Sequence, residues 1–85
     1  MPSMRTEQGL KNIAGIRIRE LRNKIGLSQE ELATQLQLLG LEGERGVIKR
    51  MENGSRYIND LELRTLVTFF SAHFDYVTYE YLIDG

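Results

Sequence analysis

Residues 28–54, SQEELATQLQLLGLEGERGVIKRMENG, decide how this chain reads, because they divide into a helix, a turn and a second short helix. Ser28 and Glu31 have the spacing of a capping box, in which each side chain satisfies a backbone donor that the helix start would otherwise leave unpaired. Leu32, Leu36 and Leu39 then recur at i, i+4 and i+7 with the small Ala33 beside them, one apolar stripe over which another helix can cross closely. Gln29 sits in the first turn with its neutral amide off that stripe, where a helix start can bind a phosphate oxygen. Gly40 and Gly43 bracket the turn, and Asn53-Gly54 closes the second helix with a glycine free to take the left-handed conformation.

The second helix separates into two faces when its residues are set at steps of about 100° around the axis. Val47, Ile48 and Met51 form an apolar face, and Arg45, Gly46, Lys49 and Arg50 lie opposite. Burying the first face therefore turns three cations and a bare patch of backbone outward. A helix about 12 Å across fits a DNA major groove about 12 Å wide. Gly46 points the same way: glycine inside a helix costs about 1 kcal/mol relative to alanine, and close approach of backbone to a ligand is one compensation. The bland alternative for the helix alone is a solvated charged face.

Eighty-five residues allow one small domain, and so short a chain buries a modest fraction of its surface, which makes dimerisation a natural source of added stability. An apolar content of 41% is ordinary for a folded domain, and the absence of cysteine excludes disulfides, thiolate metal sites and a cysteine nucleophile. No apolar run approaches the roughly 20 residues of a membrane helix, and residues 1–11 lack the apolar stretch of a signal peptide, so a cytoplasmic protein is expected. The net charge of −1 hides an asymmetry. Residues 1–56 hold ten of the eleven Lys and Arg against seven acids, whereas residues 57–85 hold Arg64 against five. The basic part contains the two central helices, a polarity that would orient the domain on a polyanion.

Outside the central stretch, residues 1–11 have one proline and no periodicity and read as a mobile arm. A first helix is expected over Asn12–Lys24 with the stripe Ala14, Ile18, Leu21 and Ile25, stopped by Gly26. Ile13 and Ile16 fall off that stripe and either cap the core end or mark a partner surface. Ser55, Arg56 and Tyr57 form a loop whose polar groups can hold phosphate. Asn59 and Glu62 repeat the capping-box spacing ahead of Leu63, Leu66, Val67, Phe70 and Phe74, with Leu61 and Phe69 off that stripe. Thr78 is placed to cap a last short helix, although the alternation of Val77–Tyr81 also suits a strand.

From Asn12 to Leu82 the sequence resembles the Cro/C1 (Xre-type) helix-turn-helix family of bacterial and phage transcriptional regulators. The resemblance is carried by Ile18-Arg19-Glu20-Leu21-Arg22, by Leu27-Ser28-Gln29-Glu30-Glu31-Leu32-Ala33 and by Glu52-Asn53-Gly54. It implies an all-α, five-helix, lambda-repressor-like DNA-binding domain over residues 12–85, with a lengthened turn between helices 2 and 3, that binds an operator in double-stranded DNA as a two-fold homodimer. Gln29 and Asn53 match family positions that contact phosphate; Arg45, Gly46 and Arg50 match those that reach base edges. Arg22 and Glu52 match a family ion pair. Lys49 joins the cationic face, and Ser55 and Arg56 join the phosphate contacts. The chain departs from the family pattern at Glu44, where a Ser or Thr usually caps the reading helix, and at Gly46-Val47, which replaces a polar pair. Glu44 can itself cap, but with Glu42 it brings anions near DNA: either Glu44 reads a cytosine amino group or DNA affinity is weakened.

The expected function is that of a sequence-specific transcriptional regulator, a repressor, without cofactor or metal. An enzyme is not expected: His73 is the single histidine and no nucleophile, metal or phosphate-loop constellation accompanies it. The rival is a helix-turn-helix domain with weakened DNA binding used for protein docking, anchored by Tyr57, Phe69, Tyr76, Tyr79 and Tyr81. Core and dimer packing is the commoner role for Phe69, Tyr79 and Tyr81.

Overall fold

The computed structural model describes residues 9–84, which form five helices and no strand: α1 Gly15–Ile25, α2 Gln29–Leu38, α3 Arg45–Glu52, α4 Asp60–Ser71 and α5 Tyr79–Asp84. Most of the arm expected over residues 1–11 lies outside the described residues. Its last residues are anchored: the Lys11 N–H donates to the Gly54 carbonyl at 2.8 Å and the Lys11 ammonium lies over the Tyr57 ring.

Both capping boxes form. Ser28 Oγ accepts from the Glu31 N–H at 3.0 Å while Glu31 accepts from the Ser28 N–H at 2.9 Å, and Asn59 and Glu62 make the same exchange at the start of α4. Helix α1 begins three residues later than its periodicity suggests, because Asn12 is spent elsewhere. Its Oδ1 accepts from the Gly15 N–H at 2.8 Å, and its Nδ2 donates to the Met51 and Arg56 carbonyls at 3.0 and 2.7 Å. One amide thus ties the entry of α1 to the end of α3 and the loop beyond it.

The core is shared by all five helices: Ile18 and Leu21, Leu32 and Leu36, Ile48 and Met51, Leu66 and Phe70, and Leu82 are each essentially inaccessible. Helix α3 packs on both α2 and α1. At the α1 crossing the backbones nearly touch, since a Cβ on Gly15 would stand 2.1 Å from the Met51 carbonyl oxygen, well inside contact distance. Leu39 departs from the expected α2 stripe. The helix ends at Leu38, Gly40 reverses the chain at φ +92, and the Leu41 N–H returns to the Leu36 carbonyl, so Leu41 rather than Leu39 packs against the core. Phe69, although off the α4 stripe, is buried as core packing requires, with its ring edge-on to Phe70 and beside His73. At Val77–Tyr81 the helix prevails over the strand, with Thr78 Oγ1 accepting from the Tyr81 N–H at 3.0 Å. No helix among the described residues is long and apolar enough to cross a membrane.

Candidate nucleic-acid interface

Burial of Ile48 and Met51 fixes the rotation of α3, and so fixes what it shows to solvent. Arg45, Lys49 and Arg50 are all exposed, and none makes an ion pair or side-chain hydrogen bond with any described residue. Gly46 lies among them in ordinary helical conformation, and a Cβ there would meet only the mobile Arg50 guanidinium, at 3.2 Å. Nothing inside the molecule requires glycine at this position. The Arg50 side chain lies over the part-exposed Gly46 backbone in the first turn of α3.

The buried edge of α3 is held by Glu52. Arg22 on α1 meets its carboxylate with two hydrogen bonds, Nε to Oε2 at 2.6 Å and Nη2 to Oε1 at 2.9 Å, and a third guanidinium nitrogen donates to the Leu27 carbonyl. The Glu52 hydrogen bond raises the Arg22 pKa above its ordinary range, so the guanidinium stays charged. Removing one partner of so enclosed a pair costs about 3–5 kcal/mol, because the other charge is stranded. Gln29 Nε2 completes the cluster by donating to Glu52 Oε1 at 3.2 Å. One Gln29 N–H is thus directed to Glu52, while the part-exposed amide lines a surface cleft beside the backbone N–H groups at the start of α2.

The phosphate candidates beyond α3 divide in the same way. Asn53 Oδ1 accepts from both the N–H and the hydroxyl of Ser55, at 3.0 and 2.6 Å, which leaves the Asn53 NH2 able to donate outward but spends the one Ser55 hydroxyl proton. Arg56 makes a bidentate pair with Glu62 on α4, at 2.8 and 2.7 Å, and donates to the Tyr57 carbonyl. Its guanidinium holds the loop to α4. Glu44 does not cap α3: its backbone carbonyl accepts from Val47 and Ile48, but its side chain makes no capping bond. The carboxylate is exposed, as is that of Glu42, so both anions flank the cationic face.

Two residues at this surface escape the sequence reading. Asn12 positions the loop that carries Asn53 and Arg56, and no local pattern marks an amide whose partners lie 39 and 44 residues away. Arg19 lines a shallow cleft between α1, α2 and α3 together with Arg22, Gln29, Lys49, Glu52 and Asn53. It lies one turn before Arg22 on α1, and that spacing is the signal that could have revealed it. Among the described residues no cluster of His, Cys, Asp or Glu is arranged to hold a metal ion. Comparison with protein-family models, with curated proteins and with solved structures yields no match.

Proposed function

We propose that the protein is a sequence-specific DNA-binding transcriptional regulator, a cytoplasmic repressor of the Cro/C1 helix-turn-helix kind with a lambda-repressor-like domain, which places α3 in the major groove. The observation that carries this reading is the outer face of α3, where three cations without protein partners surround a glycine that the fold does not need. Arg45, Lys49 and Arg50 read base edges or hold the site, and Gly46 lets the backbone come close. The Asn53 amide and the first-turn donors of α2 set the height of the helix on the phosphates. A homodimer would present two copies of α3 to successive turns of an operator.

Protein docking through aromatic side chains has less to build on. Phe69 is buried, the exposed Tyr76 and Tyr57 rings are engaged by the ammonium groups of Lys24 and Lys11, and Tyr81 meets Tyr76 edge-on beneath Arg17. Tyr79 is left as an exposed ring with no such contact.

The reading is tested by titrating wild type and Arg45→Ala against a preferred duplex and its single-base variants. Arg45→Ala should flatten discrimination at one base position by about 1–3 kcal/mol while other positions keep their ranking. Absence of duplex binding by the wild type would overturn the reading, and an equal loss on every sequence would overturn the role given to Arg45.

A further inference from the structure

The cleft between α1, α2 and α3 has a charge balance that its surroundings do not neutralise. Four charged side chains line it, Arg19, Arg22, Lys49 and Glu52, and the Glu52 oxygens are already taken by Arg22 and Gln29. Arg19 and Lys49 are left exposed without an ion pair or side-chain hydrogen bond to any described residue. On α1 this sets Arg19 apart. Arg17 pairs with Glu20 and lies over Tyr81, Arg22 pairs with Glu52, and Lys24 donates to the Tyr76 hydroxyl beneath it. The one cation of α1 without such a partner among the described residues is the one that lines the cleft together with Lys49. Asn53, on the rim, has its carbonyl oxygen occupied by Ser55 and its NH2 available to donate.

From this arrangement we infer that the cleft is a phosphodiester site, in which Arg19 and Lys49 grip one backbone phosphate of the duplex beside the groove that α3 enters, with Asn53 donating to the same group. The inference rests on the DNA-binding reading and adds α1 to the contact surface. Two mobile cations and an amide donor match a single tetrahedral anion, and the enclosed Glu52 keeps the floor rigid without presenting a free negative charge to it. Arg19 reads no base. It sets the register of α1 against the sugar-phosphate backbone, and its contribution is the same on every sequence.

The test compares wild type, Arg19→Gln and Arg64→Gln, the last removing an exposed cation from α4 on another part of the surface. Binding of each to one duplex is measured over a series of salt concentrations, with thermal melts as a control for folding. Arg19→Gln should melt like the wild type, keep its ranking of base variants, and lower the slope of log affinity against log salt by about one unit, the signature of one lost phosphate contact. Arg64→Gln should leave the slope unchanged. A wild-type slope in Arg19→Gln, or an equal change in both variants, would overturn the phosphodiester site and leave the DNA-binding reading standing. Failure of the wild type to bind duplex in a salt-dependent way would overturn both.

Discussion

Under the DNA-binding proposal, Gly46 sets stability against function in one residue. It is the second residue of an eight-residue helix, and a Cβ there would meet only the flexible end of Arg50, at 3.2 Å. Gly46→Ala should therefore stabilise the fold by up to about 1 kcal/mol, seen as a higher urea midpoint, while weakening binding to DNA because a methyl group now stands where the backbone approaches the groove. Stabilisation with unchanged DNA binding would remove Gly46 from the interface. At this scale the sequence is informative where a residue's partner is set by helical geometry. The outward set Arg45, Gly46, Lys49 and Arg50 follows from a single wheel, because Val47, Ile48 and Met51 leave α3 one way to face. It is uninformative where the partner comes from a distant segment: the engagement of Gln29 by Glu52 and of Asn12 by two carbonyls depends on how helices meet.

Among the elements, the start of α4 shows one carboxylate doing two tasks. Glu62 completes the capping box with Asn59 and holds Arg56, so it fixes the loop after α3 to the helix that follows. Burial is the largest influence on its carboxyl and pushes the pKa up, but the Arg56 hydrogen bonds, the Asn59 N–H and the Arg56 charge together outweigh it and hold the pKa below the ordinary range. A carboxyl with a lowered folded-state pKa contributes stability that is complete above its unfolded value, near pH 4.3, and is lost as pH falls through the lower folded value. The stability gap between wild type and Glu62→Gln, taken from urea midpoints, should be constant above about pH 5 and close progressively below about pH 4.3. Glu31, also held low by the Ser28 N–H, is common to both proteins and cancels. A gap that stays constant or widens on acidification would contradict this account. Elements were legible from their starts more than from their ends: the Ser28 and Asn59 boxes place the first residues of α2 and α4, whereas the stripes to Leu39 and Phe74 overran helices that end at Leu38 and Ser71, and the reversal at Gly40 hands the core position to Leu41. The alternating run at Val77–Tyr81 was ambiguous until tertiary packing buried Val77 and Leu82 on one side.

For the molecule as a whole, the charge asymmetry becomes a spatial one, with the unpaired cations of α1 and α3 on the cleft and reading face and the acids Asp75, Glu80 and Asp84 in and around α5. A body of 37 × 26 × 21 Å presents one copy of α3, so two half-sites about 34 Å apart on one duplex face require two copies side by side. In the DNA-binding proposal, the exposed Glu42 and Glu44 would work against nonspecific attraction of the duplex. The most direct test is selection from a pool of random duplexes at near-physiological salt, with sequencing of the retained fraction and repetition of the titration at several salt concentrations. Recovery of a roughly palindromic motif, bound with steep salt dependence, is the predicted result. A pool that returns no motif and shows no salt-sensitive binding would contradict DNA reading by α3.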